Sequence, residues 1–161
     1  MAFIETNFNG DNNMKNVKIY SVLSFCLVVF IVLACNASTA NLSSFKMTKD
    51  KEGKEETTSY KTGETMYGFA VVSNNPGKVK VKFSLVVEEA EGMKPGEVIK
   101  GSDVSVDMDG SGTATYTLPI PAGAPGGKYK MNADMINEAG EKKDSKSVSV
   151  TITGSATNEI K

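Results

Sequence analysis

Residues 78–87 read KVKVKFSLVV, and their strict alternation constrains this chain more than any other feature. Val79, Val81, Phe83, Leu85 and Val87 fall on one side of an extended backbone, and Lys78, Lys80, Lys82 and Ser84 fall on the other. A period of two marks a β-strand, because successive side chains point to opposite faces. A strand with one dry and one wet side must lay the dry side on another layer, as antiparallel sheets do.

The same period recurs along the chain. Phe45 and Met47 alternate in SSFKMTKD, a first short strand, and a charged, hairpin-like KEGKEETT follows. Residues 64–73, ETMYGFAVVS, are rich in aromatic and β-branched types that suit strands. Asn74-Asn75-Pro76-Gly77 is a strong turn, since proline presets φ and glycine accepts positive φ. Val104, Val106 and Met108 alternate, and Asp109-Gly110 reads as a hairpin turn into Ala114, Tyr116 and Leu118. After a Pro/Gly loop come Tyr129, Met131, Ala133 and Met135, and then Val148, Val150 and Ile152. No helical period competes beyond residue 40. About seven short strands separated by turns predict an all-β fold, an antiparallel two-sheet sandwich over residues 41–154.

Composition narrows the chemistry. The only cysteines, Cys26 and Cys35, precede the strands, so residues 41–154 hold no disulfide and no thiol. The chain has no His, Trp or Arg. Without His or Cys the usual zinc and copper ligand sets are missing. Without His most general-base and nucleophile-activating arrangements lose their base. Without Arg there is no bidentate clamp for phosphate or carboxylate. The net charge is −1, so electrostatic binding of nucleic acid is not expected.

In the last third of the chain Leu118-Pro119 leads through a Pro/Gly loop to Pro125-Gly126-Gly127-Lys128-Tyr129. The alternating Met131 to Met135, the turn Asn137-Glu138-Ala139-Gly140-Glu141 and the run Ser147 to Ile152 follow. In these residues the chain resembles the immunoglobulin-like domains of exported bacterial proteins. The resemblance implies an immunoglobulin-like β-sandwich at a cell surface or in a periplasm. It implies no activity, because this fold hosts many functions.

Upstream, residues 14–40 read MKNVKIYSVLSFCLVVFIVLACNASTA. Lys15 and Lys18 precede an apolar stretch that ends in a cysteine and small residues, the layout of a bacterial export leader. Val32-Leu33-Ala34-Cys35 resembles a lipobox, after which lipoproteins are cut and acylated on the cysteine, here Cys35. Leu33 stands where a small residue is usual. Secretory cleavage after Ala40, with Ser38 and Ala40 in the small-residue slots, and an uncleaved anchor are the alternatives. Residues 1–13 read as an upstream extension, with Met14 as the simpler start, and residues 155–161 as a polar tail.

Three constellations are candidates for function. Asp107-Met108-Asp109-Gly110 looks like a fragment of a calcium loop, although Ser111 to Leu118 offers no further acid to complete one. The competing reading is a turn. Lys78, Lys80 and Lys82 share one strand face, as do Lys128 and Lys130 on another. In immunoglobulin order those two strands, the third and the sixth, pair in one sheet. The five ammonium groups would then form one face for acidic polysaccharide or lipid headgroups, or serve only solubility and edge protection. Glu88, Glu89, Asp103, Asp107 and Asp134 are the carboxylates a hydrolase would need in facing pairs.

The expectation is therefore an exported, membrane-associated, non-enzymatic interaction or envelope-structure module that needs no cofactor. Its partners would be the membrane, through the leader or an acyl chain, and a protein or anionic polysaccharide of the envelope. The alternative is a small envelope hydrolase or a calcium-dependent binding protein. Should the lysine face fail, the two longest loops, around Pro119 to Gly127 and Glu88 to Gly101, are the next place to look.

Overall fold

The computed structural model describes residues 40–154. The upstream extension, the leader through residue 39 with Cys35, and the polar tail 155–161 lie outside the described residues. Eight strands follow in order: β1 (Asn41–Thr48), β2 (Ser59–Lys61), β3 (Thr65–Ser73), β4 (Lys78–Ala90), β5 (Val104–Asp109), β6 (Gly112–Pro119), β7 (Gly127–Asn137) and β8 (Lys142–Thr153). They form a three-stranded sheet, β1-β3-β6, and a five-stranded sheet, β2-β8-β7-β4-β5. The inner faces of both sheets contribute to one hydrophobic core, which makes the domain a two-sheet β-sandwich.

The alternation seen in the sequence phases the strands correctly. Val79, Val81, Phe83, Leu85 and Val87 are all buried, as are Tyr129, Met131, Ala133 and Met135 on the neighbouring β7. Phe83 is fully buried, and its ring lies 5.2 Å from that of Tyr116 and 5.9 Å from that of Phe45. It thereby joins β4 of one sheet to β6 and β1 of the other. Room for these rings comes from β3, where Gly68 faces inward: a Cβ there would meet the Met47 sulfur at 3.2 Å and the Phe45 and Tyr116 side chains at 3.4 Å.

Three expectations are corrected. There are eight strands rather than about seven, because β2 is only three residues long and too short to show a period. The sheets are not wholly antiparallel, since β2 pairs in parallel with the end of β8. Tyr60 holds it there: the side chain is buried and its hydroxyl donates to the Thr48 carbonyl at 2.9 Å. Burial also pushes the Tyr60 phenol well above its ordinary pKa. Finally, Asp109-Gly110 does not close a hairpin. β5 and β6 belong to different sheets, so this turn carries the chain across the sandwich.

Apart from β2, the strands follow an immunoglobulin-like order in which the fourth strand lies beside the third instead of at the edge of the first sheet. The first, second and fifth lie in one sheet, and the third, fourth, sixth and seventh in the other. β4 pairs with β7 along almost its whole length. A bulge between Val87 and Glu89 brings β4 so close to Gly127 that a Cβ there would lie 2.6 Å from that of Ala90. Only glycine fits.

The two ends of the sandwich differ. At the near end β1 begins, with Asn41 opposite Ser73. Here the crossovers 74–77 and 110–111 run side by side, and Asn75 joins them. Its side-chain amide donates to the carbonyls of Gly77 (2.7 Å) and Gly110 (2.9 Å), and its backbone N–H donates to Ser111 Oγ (3.0 Å). At the far end lie the loops 49–58, 91–103 and 120–126 and the end of β8.

Candidate functional site

The five lysines lie on the outer face of the five-stranded sheet, but not as one field. Lys82 is opposite Asp134, whereas Lys130 is opposite Val86, with Ser84 and Asn132 between them. Lys78 and Lys80 therefore sit toward the near end, and Lys128 and Lys130 toward the far end. Carboxylates are interleaved with them. Lys80 Nζ lies 3.6 Å from Asp107, Lys128 Nζ 3.6 Å from Glu89, and Lys130 Nζ 3.0 Å from Glu88. Glu88 also accepts from the Ser149 hydroxyl at 3.2 Å, and the hydrogen bond from Lys130 holds its carboxyl below the ordinary range. The face is a checkerboard of both signs, whose long-range field is weak at physiological salt.

The candidate acids fall into the same pattern. Asp107 faces Lys80, and Asp109 is the register partner of Lys78. Gly110 has a φ of 84°, as the turn reading expects. Asp134 accepts from Ser145 Oγ at 2.6 Å and from Lys142 Nζ at 3.4 Å. Among the described residues no group of three or more His, Cys, Asp or Glu is arranged to hold a metal ion. A hollow of about 650 Å³ opens at the near end between β4, β5 and β7, and Lys78, Lys80, Asp107, Asp109 and Glu138 ring it.

A different site forms at the far end, where the two long loops converge. Residues 96–99 run along the edge of β4: Gly96 N–H donates to Val87 O, Val87 N–H to Glu97 O, and Ile99 N–H to Leu85 O, each at 2.8 Å. This pairing turns Val98 outward, 48% exposed, and leaves Ile99 packed on the core. Buried Ser102 fixes the loop's end. Its hydroxyl accepts from Leu85 N–H (3.0 Å) and donates to Ile99 O (2.7 Å), while Tyr116 OH donates to Ser102 O (2.9 Å). The other loop is tied down by Ile120, whose backbone exchanges hydrogen bonds with Gly63 and Glu64. It is held also by Tyr129, whose hydroxyl donates to Pro125 O at 2.7 Å. A tyrosine at the start of the sixth strand that bonds back to the preceding loop is the tyrosine corner of immunoglobulin-type sandwiches.

Between these loops lies a hollow of about 420 Å³. Met66, Leu85, Tyr129 and Ile152 form its floor, and Met93, Ile99, Leu118 and the prolines 119, 121 and 125 form its sides. Lys100 is its one charged residue. The Tyr129 hydroxyl on this lining is already engaged with Pro125. The hollow's volume falls within the range of small-ligand sites, and its chemistry suits an apolar group. The sequence reading named both loops, yet it singled out neither Met93 nor Ile99. Isolated apolar residues inside otherwise polar loops were the available signal.

No protein-family model matches the sequence, and no curated protein does. Among solved structures, the C-terminal domain of wzt is 10% identical, with a TM-score of 0.49, over 72% of this chain and 74% of that one. A Niemann-Pick type C2 protein from Japanese carpenter ant is 15% identical, with a TM-score of 0.43, over 74% and 96%. A family 76 glycoside hydrolase from a bovine Bacteroides thetaiotaomicron strain is 16% identical, with a TM-score of 0.42, over 68% and 20%. These likenesses concern shape, and the functional reading rests on this chain's own residues.

Proposed function

We propose that this chain is an exported, immunoglobulin-like envelope module that binds without catalysis. Its site is the far-end hollow, and its ligand is the alkyl portion of a small anionic amphiphile. The observation that carries this reading is the hollow between the two converging loops, apolar on every side and with a lysine as its one charge. Burial of alkyl surface drives such binding at about 25 cal/mol per Å² removed from water. Lys100 would meet the anionic head. The site's position agrees with a tether: β1 starts at the near end, and the thirteen residues of β4 put the two ends roughly 40 Å apart. A domain held through its N-terminus, by the leader or by an acyl chain on Cys35, is held at the end away from the hollow.

Methionine methyl resonances test the binding half. Met66 and Met93 line the far-end hollow, whereas Met108 lines the near-end one. In the full chain labelled at its methionine methyls, hexyl phosphate should shift Met66 and Met93 and leave Met108 unmoved. Ile99→Asp should abolish the shifts. Shifts centred on Met108, or none, would refute the assignment. The anchoring half has its own test. Cys35→Ser should move the protein from the membrane fraction to the soluble one. Retention at unprocessed mass would favour a single-pass anchor.

A further inference from the structure

Two open sheets have four edge strands, here β1, β6, β2 and β5. An edge presents unpaired N–H and C=O groups, and proteins usually blunt it with charge, shortness, bulges or a covering loop. Three of these edges are blunted. β1 has a bulge between Leu42 and Ser44 and carries Lys46, and loop 49–57 folds back on it through Thr57 N–H to Met47 O. β2 is three residues long and includes Lys61. β5 carries Asp107 and Asp109.

β6 is built differently. Its eight residues, GTATYTLP, hold no charge, and their register with β3 runs without a shift from Gly112 to Pro119. Thr113, Thr115 and Thr117 are exposed, while Ala114 and Tyr116 are buried beneath them. In the constant-type immunoglobulin order a further strand lies at this edge. Here the corresponding strand, β5, pairs with β4 in the other sheet, so among the described residues no strand covers this edge.

We propose that β6 is a strand-addition edge and that its occupant is β6 of a second copy of this chain, antiparallel about a two-fold axis at Thr115. The argument is self-complementarity. In that register Thr115 opposes Thr115 of the partner subunit, and Thr113 opposes Thr117 of the partner subunit. Threonine pairs across strands are favourable, and no like charges meet. On the inner side Ala114 opposes Tyr116 of the partner subunit, small against large. A two-fold contact of this kind is closed, so it yields a dimer rather than a fibre. The two three-stranded sheets would join into one of six. Self-pairing through β5 would instead bring Asp107 and Asp109 toward their own copies.

Sedimentation of the full chain in mild detergent tests this. The wild type should sediment as a dimer with a concentration-dependent dissociation. Thr115→Lys places two ammonium groups opposite each other and should weaken the dimer roughly tenfold or more. Thr115→Glu should do the same, and an equimolar mixture of the two variants should restore dimers. Should either variant lose the wild-type circular dichroism, Thr115→Cys replaces it. That variant should give an oxidised dimer above the background from Cys26 and Cys35, and the control Lys61→Cys should not. A wild type that is monomeric at every concentration, a dimer indifferent to both charges, or variants that do not recombine would overturn the proposal.

Discussion

The near and far ends of the sandwich are made from the same strands but closed by different means. At the near end the connections between sheets are short, and one buried side chain, Asn75, satisfies carbonyls of both crossovers. At the far end the loops are long. Ser102 and the Tyr129 hydroxyl pin them at their ends, but Met93, Ile99 and Leu118 are left only half-buried. Short turns leave no surplus chain, so polar groups find partners locally, and the hollow that opens at this end is ringed by charged side chains. Long loops can lean away from the core and leave apolar surface facing a hollow. On a rigid sandwich, that is where a binding site forms.

The comparison assumes one core beneath both ends, and Phe83 is the residue that tests it. Phe83→Ala should cost about 3–5 kcal/mol, read from urea unfolding, in a single transition. Two separate transitions would show that the ends unfold independently. At the near end, Asn75→Ala removes the side-chain donor to two carbonyls, of which Gly77 O keeps the Gly110 N–H, and should cost about 1–3 kcal/mol. A negligible loss would mean that the near end is not closed by this side chain. At the open end, Tyr129→Phe removes one hydroxyl bond and should cost about 0.5–1.5 kcal/mol, with faster amide exchange in residues 120–126. Equal exchange at both ends in the wild type would contradict the contrast itself.

The smallest effect belongs to the sheet surface between the ends. Because Lys130 lowers the pKa of Glu88 from its ordinary 4.5, the folded state binds that proton less readily than the unfolded state. The pair's contribution is therefore fully present above pH 4.5 and fades as pH falls through the lowered value. Glu88→Gln should flatten this part of the acid limb of a stability–pH curve by less than about 1 kcal/mol, because the pair is solvated. A larger change would mean that the lysine face is structurally more important than its exposure implies.

Where one side of a strand is apolar and the other polar, as in β4 and β7, the sequence by itself determined which residues are buried. Side-chain direction alternates with each residue, and only one phase avoids burying lysine. Composition likewise set which side chains were on hand, with no His or Arg anywhere and no Cys beyond residue 35, before any geometry was known. β3 was not legible in this way. Its residues are apolar on both sides, and packing placed Met66, Gly68, Ala70 and Val72 inward and the larger Tyr67 and Phe69 outward. β5 also departs from its pattern: Val104 is 38% exposed because an edge strand has neighbours on one side only.

The candidate site divides along the same line. Alternation put the lysines on a common face, but the carboxylates that interleave with them come from β5, from β7 and from the end of β4, and only strand register brings those groups together. Both long loops could be picked out as loops, yet their meeting over Met66 and Leu85 depends on pairing between residues far apart in the chain. Local pattern sets which way a side chain points. Register and crossover set what it meets, and those are decided by the packing of the two sheets as a whole.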